Sequence, residues 1–294
     1  MALKAIKPES KEKRLKMFVF GAAGIGKTTA AIQFPKAYII DTEKGTDYYA
    51  KTIGKSDSVV LQTNVFDEVI SEVKSLLTTK HEYRTLIIDP ITQLYNSVQE
   101  KWTRVFEKHA KTEKEAEVQD FGMRYWGRVK SDFKTLQRML ASLDMNIIVT
   151  SHQKDQYGNG MQKIGVTYDS MKGDDYFYDL VFRLENQKDK RVALTVKERA
   201  EPGEQKFPPE FEWSYSNFLK FYGQNIIERI AIPIAMASEE QIKEFKTLVE
   251  IVKVDEATIS QWLNKADADS FEEMKSDQIQ KCIDHLKTKI KGIN

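Results

Sequence analysis

The residues best suited to chemistry lie near the start of the chain. Gly21-Ala22-Ala23-Gly24-Ile25-Gly26-Lys27-Thr28 has the spacing G-x-x-x-x-G-K-[ST], between the apolar run Met17-Phe18-Val19-Phe20 and the helix formers Thr29-Ala30-Ala31-Ile32-Gln33-Phe34. Between a strand and a helix, that spacing makes a phosphate cradle. Its glycines let several backbone N–H groups turn toward one anion at the positive end of a helix. The cradle comprises Gly21, Ala22, Ala23, Gly24, Ile25, Gly26, Lys27, Thr28 and Thr29. Lys27 is expected to reach the β- and γ-phosphates, and the Thr28 hydroxyl to ligate Mg²⁺. The implied ligands are ATP, or another nucleoside triphosphate, and Mg²⁺.

Hydrolysing a phosphoanhydride needs more than a cradle. It takes a carboxylate on the Mg²⁺ side, a base or water-orienting group, and positive charge facing the transition state. Thr85-Leu86-Ile87-Ile88-Asp89 is an apolar run closed by a carboxylate, which marks Asp89 as the Mg²⁺-side group, directly or through water. Pro90 follows and cannot act as a base, so the base must come from elsewhere. The best candidate is Glu43, just beyond the second apolar run Ala37-Tyr38-Ile39-Ile40-Asp41, at the sheet edge where ligands bind in open α/β folds. Lys197 and Arg199 alternate in a strand pattern, so both side chains point to one face.

Apolar runs alternating with helical patterns predict an α/β fold, with a mostly parallel sheet and antiparallel additions near its end. Helices are expected over 66–79, 92–109 and 124–143. In the last, Trp126, Val129, Phe133, Leu136 and Leu140 form an apolar stripe that reads as core. Asn146-Ile147-Ile148-Val149-Thr150-Ser151-His152 is a further buried strand with a polar end. Residues 153–173 show no period and read as a long loop, and Pro202-Gly203 and Pro208-Pro209 punctuate a stretch of edge strands and turns. Near Ile232-Pro233-Ile234 the texture changes. Ser238-Glu239-Glu240-Gln241 and Ser270-Phe271-Glu272-Glu273 read as capping boxes, and Asp255 as a cap between them. The expected organisation is a basic lead-in at 1–16 (Lys4, Lys7, Lys11, Lys13, Arg14, Lys16), a core at 17–230, a linker at 231–237 and a small helical domain at 238–294.

Lys and Arg number 45 against 44 Asp and Glu, a formal charge of +1, so any nucleic-acid contact must come from local patches. A single cysteine, Cys282, rules out an internal disulfide and suits a reducing compartment; its apolar helical context reads as a buried spectator thiol. No apolar run approaches the roughly 18–20 residues that span a bilayer, and the charged N-terminus is unlike a secretion signal. These features predict a soluble, cytoplasmic protein.

The phosphate loop, Ile39-Ile40-Asp41-Thr42-Glu43, Leu86-Ile87-Ile88-Asp89, Ile148-Val149-Thr150-Ser151-His152-Gln153 and Val196-Lys197-Glu198-Arg199 resemble, in that order, the motifs of the RecA-type recombinase core. More narrowly, the chain resembles the compact phage-encoded RecA-related ATPases of the Sak group, linked to single-strand annealing. The resemblance covers about residues 15–225 and implies a RecA-like core in a host cytoplasm. It implies that Glu43 activates the attacking water, and that Ser151, His152 or Gln153 senses the γ-phosphate, with His152 standing near the position where recombinases usually carry Gln. It also implies that the 153–173 loop binds single-stranded DNA through Lys154, Tyr157, Lys163, Tyr168 and Lys172, a mix suited to phosphate pairing and base stacking. Lys197 and Arg199 would reach the nucleotide of a neighbouring subunit in a homo-oligomer, ring or filament. The helical domain is similar to modules that end some phage recombination proteins, and would contact a single-strand-binding or other replication protein. Two rivals remain: a small-molecule P-loop kinase, and a nucleotide-gated loader or hexameric helicase.

Overall fold

The computed structural model describes residues 13–110, 121–158, 160, 162–201, 203–232, 235–266 and 268–291. Packing divides the chain into two units, one drawn from 1–70, 82–137 and 144–231, the other from 71–81, 138–143 and 232–294.

The first unit is built on a sheet of strands β1 (Lys16–Gly21), β2 (Ala37–Asp41), β3 (Val59–Gln62), β4 (Thr85–Asp89), β5 (Asn146–Tyr157), β6 (Lys163–Tyr168), β7 (Leu180–Gln187), β8 (Lys190–Glu198) and β9 (Glu210–Glu212). Their order is β3-β2-β4-β5-β1-β7-β8-β9, with β6 paired to β5 off this path. From β3 to β7 every neighbour is parallel, whereas β8, β9 and β6 join antiparallel. β4 is buried at every residue, as expected of a parallel strand covered on both faces. One face of the sheet carries Met17, Val19, Ile39, Ile87, Ile148, Phe182, Leu184 and Ala193. Against it pack helices α1 (Lys27–Ala31), α2 (Ala50–Lys55), α6 (Tyr215–Tyr222) and α7 (Gln224–Glu228). The remaining helices before residue 145 are α3 (Phe66–Thr78), α4 (Ile91–Ala110) and α5 (Phe121–Ser142), held together by ring contacts of Phe133 with Phe66 and Tyr95 at 5.8 and 5.3 Å. The α/β class and mostly parallel sheet expected from the sequence are thus observed. No described helix is long and apolar enough to cross a membrane.

The second unit contains α8 (Glu239–Val252), α9 (Glu256–Ala266) and α10 (Ser276–Lys291), with Phe245, Leu248, Met274, Ile279, Ile283 and Leu286 as its core. Ser238 and Gln241 form the expected reciprocal capping box, and Asp255 Oδ1 accepts from Thr258 N at 2.7 Å to cap α9. Ser270 caps no long helix: it opens a 3₁₀ turn at Phe271–Glu273, and α10 begins only at Ser276. Burial pushes the Cys282 thiol pKa up, the reverse of an activated nucleophile.

Several expectations need correction. The 153–173 stretch is not a loop, because β5 continues to Tyr157 and turns back as β6. Residues 154–157 are all exposed, so backbone pairing forms the hairpin without the apolar alternation that announces a strand. The stretch after Trp213 is helical: Ser214 Oγ accepts from Asn217 N at 3.0 Å to start α6, and Gly223 at φ 101 ends it. Trp126 is 43% exposed, so the core stripe of α5 starts at Val129. In the lead-in, Lys4, Lys7 and Lys11 lie outside the described residues, but Arg14 is buried at 6% exposure rather than solvated. Its guanidinium spans both oxygens of Asp144 at 2.8 and 3.0 Å and donates to the carbonyls of Arg229 and Ile230. Residues 111–120, charged in the sequence, also lie outside the described residues.

Candidate active site at the carboxyl edge of the sheet

β1 ends at Gly21, and the chain bends through Gly24 at φ 71 and Gly26 at φ 90 before α1 begins. Both values lie in the left-handed region that glycine enters without steric cost. Lys27 Nζ donates back to the Gly21 and Ala22 carbonyls at 3.0 and 2.9 Å, which holds the ammonium over the loop. Burial lowers the Lys27 pKa, while the charges of Asp89 and Glu43 oppose that shift. The lysine therefore sits in the field of both carboxylates that the sequence singles out.

Asp89 closes β4 and is 5% exposed. Burial raises its pKa; hydrogen bonds from the Thr150 and Thr28 hydroxyls and the Lys27 charge pull it back, and Asp41 adds to the rise. Thr28 and Asp89, assigned to one metal from the sequence, are thus close enough for the hydroxyl to lower the pKa of the carboxyl. Thr150 was not singled out; its register opposite Asp89 follows once β5 is known to lie between β4 and β1.

Asp41 organises the next turn. Its Oδ1 accepts from the backbone N–H of Glu43 and Gly45 at 3.0 and 3.2 Å, and its Oδ2 from Thr46 N and Oγ1 at 2.9 and 2.5 Å. This buried carboxylate absorbs the turn's free donors and holds Glu43 at the edge of the sheet. The Glu43 carboxylate receives Gln93 Nε2 at 2.6 Å, and His152 Nε2 lies 3.0 and 3.2 Å from its two oxygens. Glu43 and His152, far apart in sequence, are thus direct neighbours, and Gln93 from α4 completes the cluster. Pairing of Gly21 with His152 sets that cluster beside the phosphate loop.

Ser151 faces the other way. Its hydroxyl is buried and bonds the Asp169 and His152 carbonyls at 3.2 and 3.0 Å, so among Ser151, His152 and Gln153 it is His152 that meets Glu43. Thr92 Oγ1 accepts from His152 N at 3.0 Å and donates to the carbonyl of Asp169, the residue after β6, at 2.7 Å, tying β5 to the end of its hairpin.

The hairpin residues fare unequally. Tyr157 is 59% exposed and Lys172 is exposed. Lys154 is paired with Asp169 at 3.0 Å and Lys163 with Asp155 at 2.8 Å. Tyr168 is turned inward: its ring packs edge-on against Phe18 at 5.3 Å, and its hydroxyl donates to Asp175 at 2.6 Å. It is not available for stacking on a base.

Lys197 and Arg199 lie elsewhere. Arg199 N donates to the Asp179 carbonyl and Asp179 N to the Lys16 carbonyl, which puts both cations near the start of β1, the edge opposite the phosphate loop of their own subunit. Both donate to the Tyr176 carbonyl, at 3.3 and 3.0 Å, so they do share a face. Arg199 also pairs with Asp179 at 2.9 Å.

A family model described as an AAA domain matches residues 13–207. The chain belongs to that AAA domain family. No curated protein matches the chain. Among solved structures it is similar to one titled "Crystal structure of the RadB recombinase", at 16% identity and a TM-score of 0.37, covering 63% of this chain and 82% of that one. The matched span contains the phosphate loop, Asp41, Glu43, Asp89, His152, Lys197 and Arg199, and as a member of this family the chain is a P-loop ATPase. The local chemistry fits the ligands such an ATPase uses. Thr28 and Asp89 place a hydroxyl and a carboxylate near one another beside the loop, and Mg²⁺ typically takes one or two such protein ligands together with phosphate oxygens and water. No group of three or more His, Cys, Asp and Glu among the described residues could cage an ion without them.

Proposed function

We propose that this chain is an ATP-hydrolysing, single-stranded-DNA-binding protein of recombination, promoting annealing or strand exchange as a homo-oligomer of the RecA type. The observation that carries the reading is the double use of β5. Along one strand, Thr150 bonds Asp89, His152 meets Glu43, and the chain then runs without a break into the hairpin that carries Lys154, Tyr157 and Lys163. A strand that touches the nucleotide site at one end and presents cations and an exposed ring at the other suits DNA binding tuned by nucleotide state.

In this mechanism the loop amides, Lys27 and Thr28 hold the triphosphate; Thr28 and Asp89 would hold Mg²⁺, which would supply positive charge to the phosphates. Glu43 orients and deprotonates the attacking water, with Gln93 and His152 fixing its carboxylate. His152 reports the phosphate state through its backbone bond to Thr92, whose hydroxyl reaches Asp169 just after the returning strand. Lys154, Tyr157, Lys163 and Lys172 contact DNA. Lys197 and Arg199 act on a neighbour's nucleotide, and the C-terminal helical unit serves protein contact. The test is ATP hydrolysis with and without single- and double-stranded DNA, with assembly size followed by light scattering. Stimulation by single strands together with assembly is expected. No stimulation and no DNA binding at low salt with an ATP analogue would overturn the reading.

A further inference from the structure

The β7–β8 hairpin overhangs the phosphate loop. β7 runs level with β1 as far as the Leu184–Gly21 pair, and Glu185, Asn186 and Gln187 continue beyond it, paired with Val192, Arg191 and Lys190. A turn at Lys188 and Asp189, with φ of 48° and 64°, closes the hairpin in the geometry that suits the twist of paired strands. Arg191 stands opposite Asn186, so it lies about 7 Å past the end of β1 along the strand direction. By the alternation of side chains it shares a face with Ala193, which belongs to the core cluster that includes Ala30 and Ala31 of α1.

That placement brings the Arg191 guanidinium onto the phosphate loop. A Cβ built on Gly26 would lie 2.1 Å from Nη2, 2.3 Å from Cζ and 2.8 Å from Nε of Arg191. Gly26 is required for its backbone angle, and the far end of the Arg191 side chain lies directly against it. Independently, Arg191 Nε is buried and has no hydrogen-bond partner. The guanidinium makes no ion pair with any described carboxylate, unlike Arg14, Arg183, Arg199 and Arg229. A buried donor without an acceptor is costly. Arg84 and Arg183 each carry one too, but the Arg191 guanidinium lies against Gly26 of the phosphate loop, where a bound phosphate would complete it.

We propose that Arg191 is a nucleotide-binding residue supplied by the same subunit, donating its planar fork to the polyphosphate of the nucleotide held by the Gly21–Thr28 loop. The inference rests on the triphosphate-binding reading of that loop. Arg191 thereby supplies positive charge at the site in cis, independently of any contribution from Lys197 and Arg199 across a subunit boundary. An arginine suits the position because the fork can engage two phosphate oxygens at once, which a lysine ammonium does as a point charge only.

The test is equilibrium binding of ATP and ADP to the full chain, read by competition with a fluorescent ATP analogue, for the wild type, Arg191→Met, Arg191→Lys and Lys27→Ala. Arg191→Met keeps the apolar stem and removes the charge. It is expected to weaken ATP at least tenfold, with an unchanged melting temperature of the nucleotide-free protein. Arg191→Lys should fall between Arg191→Met and the wild type. ATP affinity of Arg191→Met within twofold of the wild type, alongside a clear loss in Lys27→Ala, would overturn the role of Arg191 and leave the loop reading intact. Should Arg191→Met fail to fold, Arg191→Lys with wild-type affinity for both nucleotides overturns the inference. Failure of the wild type itself to bind ATP or ADP would overturn the loop reading instead, so the two failures are distinguishable.

Discussion

The two edges of the parallel strands treat their charges in opposite ways. At the amino edge, the cations around the start of β1 are matched, although Arg84 just before β4 also has a buried Nε without a partner. Arg14 forks onto Asp144, Arg199 pairs with Asp179, and Lys197 is engaged by the Asp175 and Tyr176 carbonyls. At the carboxyl edge, Lys27 leans on loop carbonyls, Arg191 has an orphaned buried donor, and Asp89 is buried under a raised pKa. Matched buried ions stabilise a fold or mark its register; undermatched ones have charge to offer a ligand. The contrast supports the proposed nucleotide site at the carboxyl edge.

Substitutions at the two edges should therefore separate activity from stability. The largest effect is expected for Glu43→Gln, which removes the proposed base but leaves the cradle. ATP hydrolysis should fall about 10²–10⁴-fold in steady-state assays while ATP binding persists. Equal losses of binding and turnover would mean that Glu43 holds the nucleotide rather than the water. At the other edge, Arg14→Ala leaves Asp144 with Arg229 and strips the Arg229 and Ile230 carbonyls of their donor, and should cost roughly 1–3 kcal/mol in denaturant unfolding. Nucleotide affinity of the folded fraction should stay near wild type; a variant as stable as wild type would erase the contrast.

Asp174 lies on the segment that crosses from one edge to the other, and it offers a pH-resolved test. It is 1% exposed, accepts from Ser170 Oγ and Gln137 Nε2 at 2.7 and 2.8 Å, and burial raises its pKa from 3.8 to about 6. Because the folded state binds this proton more tightly, its stabilisation is full below the unfolded pKa and is lost as pH rises through about 6. Relative to Asp174→Asn, the wild type should lose up to about 3 kcal/mol between pH 4 and 6.5, and nothing further above. A difference that does not vary with pH would show that the carboxyl does not titrate in this range.

The smallest effect is expected for the double variant Lys197→Ala with Arg199→Ala. If this pair serves a neighbour's site, turnover in the assembled state should fall about tenfold while ATP binding by the protomer is retained. Unchanged turnover would confine both residues to the amino edge's structural role.

The sequence made much of this frame legible where physics leaves a local trace. β1, β2, β4 and the first half of β5 are apolar runs that only a doubly covered strand explains, and Gly21–Thr28 bears its own chemistry in its spacing. Glu43 was reached because Pro90 cannot be a base, and the fold sets it against His152. What stayed hidden depends on pairing. The outer part of β5 has no apolar alternation, so its hairpin read as a loop, and Tyr215-Ser216-Asn217-Phe218-Leu219 has strand-like aromatic content overridden by the Ser214 cap. Arg191 was invisible because its position over Gly26 depends on the β7–β8 register, and a one-residue slip would turn it to the opposite face. Gln93 and Thr150 likewise acquire their places only from tertiary structure.

The central claim is that β5 couples the nucleotide at one end to DNA at the other. It is tested most directly by the affinity of the full chain for single-stranded DNA at low salt, with a non-hydrolysable ATP analogue and with ADP, in the wild type and in His152→Ala. The account predicts tighter binding with the analogue than with ADP in the wild type, and loss of that difference in His152→Ala. Equal affinity in both nucleotide states of the wild type, or a difference that survives in His152→Ala, would contradict it.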